Sequence, residues 1–472
     1  MEGHILNTRY GLDDENIISI SQDAKDFALF KGISMRTSDL SQDARVPIPI
    51  CLVPSPFPMD WFQKVNDLQP YLNYIIHKIA HCKDILKECL SSTIEVDEFT
   101  RNIFKIYEAV EKDEQISLGL IRSDYLLNSD PNGRITGIKQ VENNTFASSF
   151  GGLAPIVKEV HEFVLEKLGR KGFENKLPEN QSVFMLAQGI ISAWDAYGNP
   201  NAIVLFVVED VTNNICDQRA LEYAIKEYES KLEVLRCSFK ELRNCVELHG
   251  KTLLVKDKEV SVVYYRNGYM PEHYELEDWE TRLLMERSKA IKCPSAGLHL
   301  AGTKKVQVYL SQPGVLEKFV KKDIADELRE LFAAQYTLDL GAASGDNAVS
   351  MGIQNPDKFV LKPEREGGGN NLYGDDLKNL LENIKNSEER KGYILMERIN
   401  PPLIPNCILR RDNKPEITNV ICELGIFGVI LGNKEDIFIN KSAGHLLRSK
   451  GMDSAECGIA AGFGGLDSPY LE

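Results

Sequence analysis

The sequence predicts an α/β (α+β) fold with segregated antiparallel and mixed sheets, not one long alternation of strand and helix. Three observations carry this expectation. "NAIVLFVVED" (201–210) is a near-continuous apolar run, as expected of a strand buried on both faces, and the helical "ICDQRALEYAIKEYESKL" and a second strand follow it. "ISLGLIRSDYLLN" (116–128), the turn "SDPNG" and "GIKQVENNTFASSFGGLAP" (137–155) read as strand, turn, strand and loop. "GYILMERI" (392–399), "NVICELGIFGVIL" (419–431) and "EDIFIN" (435–440) read as strands of an antiparallel or mixed sheet.

The other elements follow in order. With 472 residues the chain exceeds one ordinary core, so two or three domains are expected. Residues 59–90 have apolar positions at helical spacing, with an interruption expected at Pro70. Residues 201–300 read as a separate βαβ-type domain, with its second strand near Val234–Phe239 and a hairpin around "KDKE" (256–259). A helical 315–335 stretch leads into a glycine-rich region. The expected division is 1–200, which opens with an N-terminal helical region, then 201–300 and 301–472.

Composition narrows the function. A formal net charge of −15 and a pI near 5.2 argue against nucleic acid or an anionic membrane as the main partner. The start lacks the basic and apolar blocks of a signal peptide, and runs such as Ala202–Val208 fall far below the roughly 18 residues of a membrane span. Ten cysteines are scattered without a C-x-x-C pair, which fits free thiols in a reducing, cytoplasmic setting and disfavours structural zinc.

The chemistry concentrates in "FVLKPEREGGGNNLYGDD" (359–376). This is neither a Walker A loop nor G-x-G-x-x-G, because the lysine precedes the glycines. Gly367, Gly368 and Gly369 can turn successive backbone N–H groups toward one anion. Lys362 at the strand end offers a point charge for phosphate, and Glu366 can share Mg²⁺ with phosphate oxygens. Taken alone, the glycines fit a flexible surface loop equally well. Lys362, Glu366, Asn370 and Asn371 bracketing them tilt the reading toward a nucleotide phosphate.

Elsewhere, Glu142 and Asn144 in "VENNT" lie two apart and face one side of a strand, so with Glu366 they form a sensible Mg²⁺ trio, although E-x-N alone also fits a polar edge strand. Glu423 interrupts an apolar strand, where it would meet a ribose hydroxyl or a lysine, or else point to solvent. Arg448 and Lys450 in "GHLLRSKG" point together, the first suited to carboxylate and the second to phosphate. The closing "GIAAGFGG" has the small residues of a loop that closes over a ligand.

"VLKPEREGGGNNLYG", "ILMERI", "ELGIFG", "GHLLRSK" with "AAG", "VENNTFASSFGGLA", "RSDY", "YYRNGYMP" and "LAGTKKVQ" together resemble the eukaryotic glutathione synthetase family, in the same order from Gly119 onward. The resemblance implies an ATP-grasp ligase joining γ-glutamylcysteine to glycine, a cytosolic homodimer that uses ATP as co-substrate and Mg²⁺ as cofactor. It implies a glycine-rich lid at about 363–376 and an alanine-rich lid at about 451–466. Glu142, Asn144 and Glu366 resemble the magnesium ligands. Lys304, Lys362, Asn371, Tyr373, Met396, Glu397, Ile399, Glu423, Lys450 and Glu456 resemble the ATP contacts, joined by the 367–370 loop. Arg122, Ser149, Asn214, Gln218, Arg266, Tyr269 and Arg448 resemble substrate contacts, with Ile459 and Ala460 where the alanine-rich lid meets substrate. Arg448, Lys362 and Arg122 are the expected catalytic residues. The chain departs from the family pattern at Asn143, in "TNN" (212–214) and in "GFGGLDSPYLE". Two other readings stay open at this point: a related ligase with another acceptor such as β-alanine, and a non-catalytic nucleotide-binding regulator.

Overall fold

The computed structural model describes residues 2–13, 15–37, 43–110, 115–411, 413–452, 458–459 and 464–472. Its centre is a pair of 15-residue antiparallel strands, Thr418–Gly432 and Ile437–Gly451. "EDIFIN" and "GHLLRSKG", met as separate segments, are therefore one continuous strand. On the other side of 418–432 runs Ser117–Ser129, also antiparallel, and against it Ile135–Asn144. Alternation explains the order: Ile121, Tyr125, Leu424, Ile426 and Leu447 are buried in one apolar cluster on one face, and Arg122, Asp124, Glu423 and Arg448 beside them turn polar groups to the other.

The parallel part continues from the same sheet. Lys292 of Ile291–Cys293 pairs with Ser117, then come Lys258–Tyr265, Ile203–Val207 and Val234–Cys237, all parallel. Every residue of Ile203–Val207 is buried, as the apolar run predicts. The "KDKE" hairpin forms between Thr252–Val255 and Lys258–Tyr265, with Val255 opposite Lys258, and Lys256 and Asp257 take positive φ at its tip. A second, three-stranded antiparallel sheet orders Gln335–Thr337, Tyr393–Glu397 and Phe359–Pro363. Helices Ala343–Gln354 and Gly374–Ile384 accompany it, with Val349, Leu377 and Leu381 packed against Leu361 and Leu395.

Two expectations need correction. Helix Met59–Ala80 runs through Pro70 unbroken, and Lys83–Leu90 forms a separate helix. Phe62, Val65, Leu68, Leu72, Ile75 and Ile76 bury one apolar face, and that packing outweighs the lost backbone bond. The Pro70 carbonyl accepts a bond from Asn440 Nδ2 at 2.8 Å, which ties the helix to the sheet. The 315–335 stretch is shorter than expected: a 3₁₀ turn at Leu316–Lys318, a helix at Lys322–Leu331, then strand. No described helix is long and apolar enough to cross a membrane. The described cysteines are free thiols.

Candidate active site

Four adjacent strands carry the site, and the two-residue period of each puts its polar residues on one face. Strand 117–129 gives Arg122, Asp124 and Leu126, and 135–144 gives Glu142 and Asn144. Strand 418–432 gives Ile421 and Glu423, and 437–451 gives Arg448 and Lys450. Register sets Arg122 opposite Asn144, Asp124 opposite Glu142, and Glu423 opposite Arg448.

Asp124 is the centre of this face. It is fully buried and accepts from Arg122 Nε at 2.6 Å and Arg122 Nη2 at 2.8 Å, a bidentate pair. Arg448 Nη2 and Asn144 Nδ2 each donate to Oδ2 at 2.9 Å. The remaining Arg122 nitrogen, Nη1, donates to the Ser149 carbonyl at 3.0 Å. Opposite Asp124 stands Gly425, where an added Cβ would lie 2.7 Å from Asp124 Oδ1 and 2.8 Å from Arg122 Cδ. Only glycine leaves room for that ion pair. Glu423 accepts from Arg448 Nη2, and burial raises its carboxyl while Arg448 and, more weakly, Lys450 oppose the rise.

Beside this face a cavity of about 330 Å³ lies between the two sheets. Its walls include Lys362 and Asn371 before and after the glycines, Tyr373, Met396 and Ile399, and Lys450. Glu397 lines it too, together with Leu126, Val141 and Ile421 from the four strands. Lys362 is 2% exposed and donates to the Val141 carbonyl at 2.8 Å, which joins the two sheets. Lys304 Nζ donates to the Arg365 carbonyl at 2.7 Å and stands 3.7 Å from Glu366.

The carboxylates here push each other apart in charge state. Burial raises Glu366 to about 7, with Glu142 and Glu364 adding to the rise and Lys304 and Lys362 opposing it. Burial acts the same way on Glu142, yet Lys304, Lys362, Arg448 and Arg122 outweigh it and hold that carboxyl below its ordinary range. Two crowded carboxylates with the Asn144 amide suit Mg²⁺, which takes one or two carboxylates and completes its shell from phosphate and water. Among the described residues no three His, Cys, Asp or Glu gather to hold a metal without such help.

The glycine loop arches over this region. Gly367, Gly368 and Gly369 all take positive φ, 93°, 72° and 80°. A Cβ on Gly367 would stand 3.1 Å from Met270 Sδ and 3.4 Å from Tyr269, so the loop rests on the 269–270 turn. Asn370 Nδ2 donates to the Glu366 and Gly368 carbonyls, both at 3.1 Å, which pins the loop's curvature.

The remaining expected substrate residues gather at the carboxyl ends of the parallel strands. Arg266 Nη2 donates to Ser149 Oγ at 2.9 Å and faces Asp217 at 3.5 Å. Asp217 in turn accepts from the Phe150 and Gly152 amides, fixing the "ASSFGG" loop. Gln218 Oε1 accepts from Arg236, and Asn214 Nδ2 donates to Asp217. Asn214 Oδ1, Arg266 Nε, Asn267 Oδ1 and Glu209 Oε2 are buried without a hydrogen bond. Such a set fits a small zwitterion. Ile459 is buried in the main core, and Glu456 and Ala460, with most of the alanine-rich lid, lie outside the described residues. Sequence reasoning missed Asp124, Glu209 and Asp217. A signal existed for the first, since Arg122 and Asp124 in "RSDY" share a strand face, and for the second, since Glu209 is the first charge after an apolar strand.

A family profile described as eukaryotic glutathione synthase, ATP binding domain, matches residues 14–471. The chain belongs to the eukaryotic glutathione synthase family. The glutathione synthetase of Bos taurus is 42% identical over 466 residues, covering 97% of this chain and 98% of its own. That of Homo sapiens is 40% identical over the same shares. The chloroplastic glutathione synthetase of Solanum lycopersicum is 36% identical, over 98% of this chain and 86% of its own. A glutathione synthetase-like effector from Globodera pallida, solved in its apo form, superposes with a TM-score of 0.79 at 24% identity, each chain covered to 98%. That likeness shows the fold alone: the mixed α/β, ATP-grasp-type architecture of this family.

Proposed function

We propose that the chain is an ATP-dependent glutathione synthetase, joining γ-glutamylcysteine to glycine with release of ADP and phosphate. The observation that carries the reading is the meeting, on four neighbouring strands, of the lysine-bearing cavity with the Asp124-centred arginines. A phosphate donor and a carboxylate acceptor would be held side by side there. Within this reading 301–472 supplies most of the nucleotide contacts, 201–300 the dipeptide contacts, and 1–200 the remaining core.

Met396, Ile399 and Tyr373 give the cavity an apolar and aromatic wall suited to an adenine, and Lys362 and Lys450 in the same lining would carry charge for its phosphates. Glu142, Asn144 and Glu366 would hold Mg²⁺, which when bound neutralises phosphate charge. An oxygen of the cysteinyl carboxylate attacks the γ-phosphorus and ADP leaves, giving an acylphosphate. The glycine amine then attacks the acyl carbon, phosphate departs and the amine loses its proton. No enzyme nucleophile is required, so the protein's part is positioning and charge neutralisation. Arg448 and Arg122, fixed by Asp124, face the negative charge that grows on the acyl group; one such fixed donor is worth on the order of 3 kcal/mol. The glycine loop over Tyr269 and Met270 excludes water from the acylphosphate.

The test is direct. Purified protein is given ATP, Mg²⁺ and γ-glutamylcysteine with glycine, β-alanine or neither, and phosphate and product mass are followed. The expected outcome is glutathione mass with glycine-dependent phosphate release. A β-alanine product in preference would move the acceptor assignment, and absence of turnover would overturn the ligase reading. A cytosolic homodimer, as the resemblance implies, completes the proposal; light scattering of the purified chain tests the dimer.

A further inference from the structure

Strand Phe359–Pro363 hands over to the glycine loop through Glu364 and Arg365. The Glu364 amide donates to the Gly392 carbonyl at 3.1 Å and the Arg365 amide to the Pro363 carbonyl at 2.8 Å, so the backbone of this corner is fixed. Glu364 is 6% exposed, and a carboxylate so deeply buried is costly unless it is hydrogen-bonded. Its partners stand at the start of helix Lys304–Ser311: Oε2 accepts from the Lys304 amide at 2.9 Å and Oε1 from the Lys305 amide at 2.7 Å.

The first amides of a helix have no partner inside it, and the residue just before it commonly caps them with its side chain. Thr303 holds that position and gives no such cap; its hydroxyl donates to the Leu300 carbonyl at 2.7 Å. Glu364 takes over from another part of the chain. The link runs both ways, since Lys304 Nζ returns to the Arg365 carbonyl at 2.7 Å and stands 3.7 Å from Glu366. Backbone and side chain of Lys304 are thus both tied to the segment that bears Glu366 and the glycines. Arg365 anchors that segment in turn: it pairs with Asp97 at 2.6 Å, and Asp97 caps helix Glu98–Glu108 through the Thr100 amide at 2.7 Å. The neighbouring Lys305 turns elsewhere, to Asp339 at 2.7 Å.

We propose that Glu364 is a positioning residue of the nucleotide site, seating Lys304 beside Glu366 so that ammonium and carboxylate address the same phosphate. The inference rests on the ligase reading for its ligand, ATP. Glu364 acts through Lys304, because its two oxygens face the helix amides. Loss of this cap lets the first turn of the helix drift, and the Lys304 ammonium with it.

A double-mutant cycle tests this on the full-length protein, read by calorimetric titration with Mg²⁺ and adenylyl imidodiphosphate, an ATP analogue that is not turned over. Wild type, Glu364→Ala, Lys304→Met and the double variant are compared, with melting to confirm the fold. The expected result is binding weakened about tenfold by Glu364→Ala alone, and by no more than about twofold when Lys304 is already Met. Glu364→Gln, which keeps one acceptor for the two amides, should lose about threefold, and it carries the same cycle if the alanine variant does not fold. Equal weakening in both backgrounds overturns the proposal, because Glu364 would then act on the fold at large. So does full affinity in Glu364→Ala, or a wild type that does not bind the analogue. Binding is read without turnover, so a wild type that takes the analogue but makes no glutathione fails as a ligase while the role of Glu364 is still measured.

Discussion

Asp124 and the Glu142–Glu366 pair are neighbouring carboxylate groups held in opposite ways. Asp124 is fully buried, and its two oxygens take four hydrogen bonds, from Arg122 twice, Arg448 and Asn144. Its charge is balanced within the protein. Among the described residues Glu142 and Glu366 have no comparable set of donors: they crowd one another beside Lys304 and Lys362, and Glu366 is raised to about 7, by burial first and then, against those lysines, by Glu142 and Glu364. A satisfied carboxylate fixes geometry, whereas an unsatisfied pair is arranged for a cation. The first should fail through misplacement of arginines, the second through loss of ligand.

Asp124→Asn should have the largest effect. Two guanidinium groups lose their shared counter-charge in a buried place, which costs about 3–5 kcal/mol of stability. Turnover should fall roughly a hundredfold or more as Arg122 and Arg448 lose alignment. Melting and steady-state kinetics read both; unchanged turnover in a folded variant would remove Asp124 from its central place.

Gly367→Val comes next and should separate the two effects. Positive φ at a β-branched residue costs on the order of 1–3 kcal/mol, here in a loop, and the new Cβ would press on Met270 Sδ 3.1 Å away. Turnover should drop roughly tenfold to a hundredfold through loss of closure, with melting little changed and ATP hydrolysis without product relatively increased. Full activity would sink the role of the loop as cover.

Glu423→Gln sharpens the comparison from the other side. Arg448 keeps Asp124 and loses only its second carboxylate, so the expected loss is about 1–2 kcal/mol, roughly tenfold in kcat/KM. A larger loss than in Asp124→Asn would reverse the ranking and make Glu423 the anchor of Arg448.

Much of this was legible in the sequence because strand period and apolar runs report a residue's face. Arg448 and Lys450, or Glu142 and Asn144, could be paired by counting alone. What resisted reading was anything requiring a second strand. The link between Glu423 and Arg448 depends on a 15-residue register, and the reason for Gly425 depends on Asp124 lying opposite. Asp124 itself was hidden because an acid beside an arginine in "RSDY" looks like local charge balance until Arg448 and Asn144 arrive from elsewhere. Pro70 misled for a similar reason: the helix through it is held by apolar contacts distant in sequence.

The smallest effect concerns pH, and it joins the second carboxylate region to the core. His299 lines a small cavity with Tyr269, Thr303, Glu364 and Glu366, and its ring packs edge-on to Phe146 at 4.7 Å. Burial, with Arg282 adding to it, lowers His299 to about 3, so the folded chain keeps it neutral. The unfolded chain takes up that proton near 6.5, and stability is therefore lost as pH falls from about 6.5 toward 3. Glu366 works the other way: raised from 4.5 to about 7, it binds its proton more tightly when folded, and stability grows as pH falls across that interval. Between pH 6.5 and 4.5 the two oppose each other in the wild type. His299→Gln removes one side of the balance. Urea unfolding across that interval should show the variant gaining stability relative to wild type by about 1.4 kcal/mol for each unit the pH falls, whatever its absolute stability. Parallel curves for the two proteins would mean that His299 is protonated in the fold and that the charge balance around Glu366 has to include it.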